Sequence, residues 1–577
     1  MSLPERDFSL ETEYAINFYP AAPDKTPASN VIVQALQQGL VKHYGLPGCN
    51  FLVSGGKFHH DVGHAEWSLP ECRTAREAAT YDKAADYLLG WLVPATEAIL
   101  SSNGFDGRLL IVKNNVDSAG NTYGCHENYL MQRDADLLAG ESFLRYLARC
   151  LIPFLVTRQV FAGAGRLVSP GQAQRPFFEL SQRAAFVNCV VSEETTQSRG
   201  IINLGREGEP LAEGNYRRLH LIVGDANLSG WATWMKLGTT GILLRMIEDL
   251  YIGEVPLLQY PVAALRAISR DPTCRAVVPL RDGRRVTAID LQWRYYELAD
   301  RYVEQFGCSD EENTVMDAWG QALEDLENDP IRLRNRADWA IKWRLLDTHI
   351  RRHRLSWDNL LLEGPTTELL GLDLRYHDVS PDGHYYQLIR PDTLVTMAQI
   401  EAAQKRPPPY TRARLRGEAI ALTRCAAAQV AVGGWAELTW NSAKQRLGDP
   451  LEFDAQWLPA DNASLRLAIA HLDPAVRIRA AGYLRQRQDP ETLMLLAGVA
   501  RQDANEQVRR AAAVALGNSR DTIALDTLIA CLGDPSPMVR WVAEDALGRQ
   551  GGGQPLPPRP SEPPRMDGRE SLVHVIS

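Results

Sequence analysis

The chain has 577 residues, of which 45% are hydrophobic and 23% charged, with a formal net charge of −9. That length calls for two or more domains, and that composition excludes a disordered or fibrous chain. The mild acidity argues against a non-specific nucleic-acid binder, which is usually basic, so no nucleic-acid partner is expected. The N-terminus has no apolar core of signal-peptide length, and no uncharged apolar run is long enough to span a membrane. The nine cysteines are scattered, odd in number and without a C-x-x-C pair. This usage fits reduced thiols and a cytoplasmic location.

The first strand-like run is Phe8–Phe18. It contains Glu11-Thr12-Glu13, and strand alternation puts both carboxylates on one face. Such a pair is either an exposed polar face or a hard-cation site. Next comes Lys57-Phe58-His59-His60-Asp61-Val62-Gly63-His64-Ala65-Glu66. If Lys57 to Asp61 is extended, Lys57, His59 and Asp61 converge on one face, and Glu66 follows a Gly turn. Oxygen ligands suit Mg²⁺, which needs few protein ligands when phosphates complete its shell. The three histidines also fit Zn or Fe, and a plain polar hairpin fits as well. A helical pattern over Tyr81–Leu100 precedes a strand at Arg108–Val112.

Residues 113–129 start as a turn-rich polar loop and run through His126-Glu127-Asn128 into an apolar stretch. Gly163-Ala164-Gly165-Arg166 is too short for a phosphate loop, and no nucleophile elbow is present. In Tyr216–Leu228 a strand is expected at His220–Val223. Arg217 and Arg218 enter it, and Arg218 would share a face with His220. An arginine there suits a phosphate oxygen, because its fork is bidentate and permanently charged. An ordinary surface ion pair is the other reading. A helix is expected over Ala232–Tyr251, and one restarts at Thr411 after the proline run at residues 407–409. The absence of regular βα spacing makes residues 1–455 an α+β region, with a small C-terminal subdomain at about residues 400–455.

The character then changes. Leu472–Leu484, Asn505–Leu516 and Ser536–Leu547 resemble one another, with V-R pairs at Val476, Val508 and Val539. A period of 31–32 residues and one apolar face per helix mark HEAT-like repeats over residues 456–549, arrays that commonly bind proteins. Residues 550–577 read as a flexible Gly/Pro-rich tail.

Taken in order, ETEY at Glu11, HDVGHAEWSLPEC at His60–Cys72, NNVDSAGNTYGCHENYLM at Asn114–Met131, PFLVTRQ at Pro153–Gln159, LSQRA at Leu180–Ala184, RGIIN at Arg199–Asn203, YRRLHLIVGDANL at Tyr216–Leu228, LDLRYHDV at Leu372–Val379 and TRARLRGE at Thr411–Glu418 resemble the Pup ligase and Pup deamidase/depupylase family. That family is part of the glutamine synthetase-like carboxylate–amine ligase superfamily, and the resemblance spans Phe8 to Trp440. It implies an antiparallel-sheet cradle with surrounding helices that holds ATP and Mg²⁺. The implied reaction joins the C-terminal glutamate of a small Pup-like modifier to lysine-bearing target proteins through a γ-glutamyl phosphate.

By resemblance, Asp61 is the catalytic base and Glu11 and Glu66 are metal ligands. His59 stands where a metal-assigned Tyr is usual, and Lys57 where an ATP-contacting Arg is usual. Leu69 and Trp440 match nucleotide-contact positions. Glu13, Arg217 and Arg218 join them on the residue reading above. Lys57 lacks the bidentate fork, and a histidine ligand makes metal affinity fall on acidification.

The chain mixes the two branches. It lacks the deamidase-type insertion between Tyr14 and Lys57, and SAGNTYGCHENY, LDLRYHDV and TRARLRGE are ligase-like. The five-residue step from Asp61 to Glu66, SLPEC, KLGTT and AISRDP are deamidase-like. The balance favours the ligase, with deamidase or depupylase as the alternative. An inactive protein-binding scaffold and a small-molecule glutamate–amine ligase are the readings of other kinds. The HEAT-like repeats are outside the usual family pattern and are expected to recruit a modifier, a target or a proteasome-pathway partner.

Overall fold

The computed structural model describes residues 6–44, 50–117, 119–132, 143–168, 176–203, 216–357, 360, 365–388, 394–423, 430–440, 443–451, 469–470, 474–485, 487 and 489–551. The chain forms two compact units: Met1–Ile420 with Ala431–Thr439 and Ala443–Asp454, and the remainder, chiefly Ala455–Ser577.

In the first unit the strands are β1 (Phe8–Pro20), β2 (Lys57–Asp61), β3 (His64–Ser68), β4 (Gly107–Val112), β5 (Cys125–Gln132), β6 (Arg166–Val168), β7 (Phe177–Glu179), β8 (Cys189–Ser192), β9 (Gly200–Asn203) and β10 (Tyr216–Leu221). Eight of them build one sheet in the order β2-β3-β1-β5-β10-β9-β8, with β4 pairing the second half of β1. The expected antiparallel cradle holds except at one end, where β8 and β9 run parallel. The strand expected at His220–Val223 lies earlier, at Tyr216–Leu221.

One face of this sheet is apolar, carrying Phe8, Leu10, Tyr14, Phe58, Trp67, Tyr129 and Leu219, all buried. Helices Ser29–Tyr44, Ala75–Ser102 and Gly230–Glu248 pack behind the sheet. The last is buried along nearly its whole length, as a helix hydrophobic all round must be. Ser229 and Thr74 cap the N-termini of two of these helices through their side chains, satisfying donors that the first turn leaves open. Tyr14 donates its hydroxyl to Asp86 at 2.8 Å. Asp86 belongs to a buried charge cluster in which Lys113 meets Asp82 at 2.7 Å and Lys83 meets Asp86 at 3.1 Å.

Further strands are β11 (Val277–Pro279), β12 (Arg285–Thr287), β13 (Val430–Gly434), β14 (Glu437–Trp440) and β15 (Ala443–Arg446); the last three form a separate sheet.

In the second unit the three V-R segments are helices: Pro474–Leu484, Glu506–Leu516 and Pro537–Gly551. They alternate with Pro490–Gln502 and Thr522–Cys531. Val508, Leu516, Leu496, Leu528 and Val539 are buried between them. The V-R arginines form rungs: Arg477 Nε reaches Asp503 at 2.7 Å and Arg509 Nε reaches Asp534 at 2.8 Å. Residues 552–577 of the expected tail fall outside the described residues. No described helix is long and apolar enough to cross a membrane.

Candidate active site

The second face of the sheet is polar, and strand register arranges it in rows. His59 lies opposite Glu66, and Glu66 opposite Glu13. In the next row Lys57, Ser68, Glu11 and His126 follow one another across four strands. Asn128 and His220 continue the face onto β10. The β2–β3 connection is Val62-Gly63, with φ of 38° and 97°. Positive φ at both positions is the type I′ geometry that matches strand twist. It sets Asp61 opposite His64, which is why Glu66 follows Asp61 by five residues and lies diagonal to it on the same face.

Two donor groups form on this face. Carboxylate oxygens of Glu13, Asp61 and Glu66 lie within 4.8 Å of one another. Burial, then the charges of Glu11, Asp61 and Glu13, push the Glu66 carboxyl up to about 8. An all-oxygen group whose members repel in the charged state suits a hard divalent cation. Glu13 itself is held below its ordinary value. Burial opposes this, but hydrogen bonding from His64 and the Gly124 N–H outweighs it.

In the second group Glu11 meets His126 and His220 within the same limit. One Glu11 oxygen accepts from Arg218 at 2.7 Å and the other lies 3.3 Å from His126 Nδ1. Burial opposes ionisation of Glu11, yet His126 and Arg218 hold it well below the carboxylate range. Asn128 orients Arg218 by accepting from its Nε at 2.8 Å.

The structure thus brings Glu11, Glu13, His59, Asp61, Glu66, Lys57 and Arg218 to one face. His59 Nε2 lies 3.9 Å from Glu66. Burial and the Lys57 charge lower its basicity. Arg217 is a correction: alternation turns it to the opposite face of β10, where its guanidinium stands over the Phe143 ring. Leu69 is buried at the end of β3, its N–H donating to Leu10 and its carbonyl accepting from Ser9. The Trp440 side chain lies outside the described residues.

The His126-Glu127-Asn128 trio is split the same way. His126 and Asn128 face the site, while Glu127 turns back to bind the buried Arg158. His64 stacks on Tyr123 with ring centroids 4.3 Å apart. His64, His126, Asn128 and His220 are thus further members of the polar face. The signal that finds them is the strand period, applied once the pairing is known.

Gly124 is constrained by this crowding. A Cβ there would fall 2.2 Å from His126 Nε2 and 3.0 Å from a Glu13 oxygen. Gly124→Ala is expected to weaken divalent-cation affinity roughly 10- to 100-fold by misplacing these groups, as loss of orienting partners does. Calorimetric titration with the metal checks it.

Other sequence motifs serve the frame. The Asp225 carboxylate accepts from the N–H groups of Ala164, Gln182 and Arg183 and from Ser181 Oγ, which locks the LSQRA segment. Glu71 of SLPEC receives Arg412 at 2.8 Å and Arg416 at 2.5 Å, both from TRARLRGE.

The site is thus a largely antiparallel sheet with a helix-covered back and a face of carboxylates, imidazoles and one oriented guanidinium. The sequence profile of the Pup-ligase protein family matches residues 6–439, and that of HEAT repeats matches 463–548. The Pup–protein ligase of Acidimicrobium ferrooxidans is 36% identical over 457 residues, 78% of this chain and 96% of that one. The depupylase of Acidothermus cellulolyticus is 41% identical over 392 residues, 67% of this chain and 73% of that one.

Among solved structures, the complex of the prokaryotic ubiquitin-like protein Pup with its ligase PafA superimposes with a TM-score of 0.69 at 31% identity, covering 81% of this chain and 93% of that one. PafA in complex with ADP gives 0.61 at 30%, covering 73% and 91%. The chain belongs to the Pup-ligase protein family.

Proposed function

We propose that the chain is an ATP- and Mg²⁺-dependent ligase joining the C-terminal glutamate side chain of a small Pup-like protein to lysines of target proteins. The observation that carries this is the single polar face on which the Glu13–Asp61–Glu66 oxygens converge beside an Arg218 held by Glu11 and Asn128. The ADP complex of PafA supports the nucleotide. Glu11, Glu13 and Glu66, with His59 beside Glu66, are the residues to hold Mg²⁺, whose chemistry is to neutralise phosphate charge. Lys57 and Arg218 are the residues that would meet the phosphates, and Leu69 and Trp440 those that would contact the rest of the nucleotide.

A carboxylate is a poor electrophile. Transfer of the γ-phosphoryl group to the glutamate side chain releases ADP and supplies a leaving group. The lysine amine then attacks the acyl carbon, its proton passes to Asp61, and phosphate departs. The cytoplasm is the proposed location; the seven described cysteines are free thiols.

A second reading is hydrolysis of the same bond, with Asp61 orienting water. The two-residue β2–β3 turn, which gives the hydrolase-type step to Glu66, and the depupylase relative favour it. One experiment separates the readings. The purified chain is incubated with Mg²⁺, ATP, a Pup-like protein ending in Glu and a lysine-bearing target. A covalent adduct with ADP release supports the ligase. Cleavage of a preformed conjugate, or ammonia from a Gln-ended modifier, supports the hydrolase. Neither, with no nucleotide turnover, overturns both and leaves a scaffold. The HEAT repeats are proposed to recruit a protein partner from this pathway, the proteasome side included. Unchanged affinity for modifier, targets and proteasome components on removal of residues 455–577 would count against that.

A further inference from the structure

A second cluster of metal-binding side chains lies away from the sheet. Helix Asp338–Arg352 carries His349 in its last turn and has His353 as its C-terminal cap, so the two histidines are four residues apart on one side of the helix end. Helix Pro365–Tyr376 sets Glu368 against them. Glu368 Oε2 is 3.0 Å from His349 Nε2 and 3.8 Å from His353 Nε2. The three donor atoms lie within 4.8 Å of one another.

The tautomer of His353 is fixed by the fold. Its Nδ1 lies 3.0 Å from the His349 carbonyl. A carbonyl only accepts, so Nδ1 carries the proton and the neutral ring turns its Nε2 lone pair toward Glu368. Lone pairs on one carboxylate oxygen and a neighbouring imidazole nitrogen then face each other. Such an arrangement calls for a proton or a cation between them. Two nitrogens and one oxygen are the donor set of a borderline ion rather than of Mg²⁺. Partial exposure of all three side chains leaves room for water at a fourth position.

We propose that His349, His353 and Glu368 form a transition-metal site of the Zn²⁺ class, separate from the sheet face. The ion clips the end of one helix to the next. Helix Pro365–Tyr376 also supplies Leu370 and Asp373 to the wall of a cleft of about 300 Å³ that Asn114, Asp117 and Gln182 line as well. The first helix anchors that wall through Lys342, which holds Asp373 at 3.0 Å and the Gly165 carbonyl at 2.7 Å. The clip therefore stiffens the cleft wall beside the loop that leads to His126.

The test is equilibrium dialysis and calorimetry of the full chain with Zn²⁺ alone. The unchanged chain is compared with a His349→Ala/His353→Ala double variant and with Glu368→Gln. The expected result is one fewer bound Zn²⁺ in the double variant, a roughly tenfold weaker site in Glu368→Gln, and a Zn²⁺-induced rise in melting midpoint that the double variant lacks. The count difference isolates this site from zinc taken up at Glu11, His126 and His220. Equal stoichiometry in folded parent and double variant overturns the proposal, as does unchanged zinc affinity in Glu368→Gln. Should the double variant fail to fold, His353→Ala with the same readouts decides.

Discussion

Asp61→Asn is expected to lower the rate of adduct formation roughly 10²- to 10⁴-fold, the range lost with a general base, with little change in nucleotide binding. Asp61 ends β2 at the mouth of the hairpin, half-buried and diagonal to Glu66. The amide keeps the shape and removes the proton acceptor. It also removes one of the charges that press on the Glu66 carboxyl, so Glu66 ionises more readily and the cation site keeps its other carboxylates. Rate and affinity are thereby separable. Single-turnover adduct formation measured beside ADP binding reads them independently, and a full rate in Asp61→Asn would sink the assignment.

The second large effect concerns stability. Glu71→Gln is expected to destabilise the first unit by about 3–5 kcal/mol, because it leaves two buried guanidiniums without their shared counter-charge. Arg412 and Arg416 are fully buried, and Glu71 nearly so. Arg416 also donates to the Gly55 carbonyl and stands over the Trp435 ring, so the loss spreads from the loop after β3 to the C-terminal strands.

The same residue sets an acid limit. Burial opposes ionisation of Glu71, but the two arginines hold its carboxyl down to about 2, against an ordinary 4.5. A carboxyl depressed by folding contributes stability that is complete above pH 4.5 and fades as pH falls toward 2, amounting to about 3 kcal/mol. Urea midpoints of the parent should therefore drop over that window, and those of Glu71→Gln should drop less. Equal midpoints for the two at neutral pH would refute the clasp.

The cradle was legible in the sequence through one device, the two-residue period of strands. It put Glu11 with Glu13 and Lys57 with His59 and Asp61 before any pairing was known, and the registers seat them in adjoining rows. The same period, not applied to Arg217 and Arg218, made one residue too many. Adjacent positions on a strand cannot both face a site. Pairing partners are a property of the sheet, so the meeting of His126 and His220 with Glu11 could not be read from positions so far apart, 115 residues between Glu11 and His126 alone. Motif density misleads in another way. LSQRA and TRARLRGE are as distinctive as the strands of the polar face, yet Asp225 and Glu71 use them as anchors for the frame. The repeats were readable because each V-R helix shows an apolar face that only a neighbour can cover.

The arginine–aspartate rungs of the repeat unit have a direction. Arg477 binds an aspartate 26 residues on and Arg509 one 25 residues on, so each module reaches forward to the next. Arg509 also braces its own helix start at the Asp503 carbonyl, and Arg540 repeats that brace at the Asp534 carbonyl. An engineer can therefore treat the array as a ruler with a fixed pitch. A copy of the unit from Asp503 to Gly533, spliced in after Gly533, carries its own arginine and its own aspartate. It lengthens the array while each rung arginine keeps an aspartate.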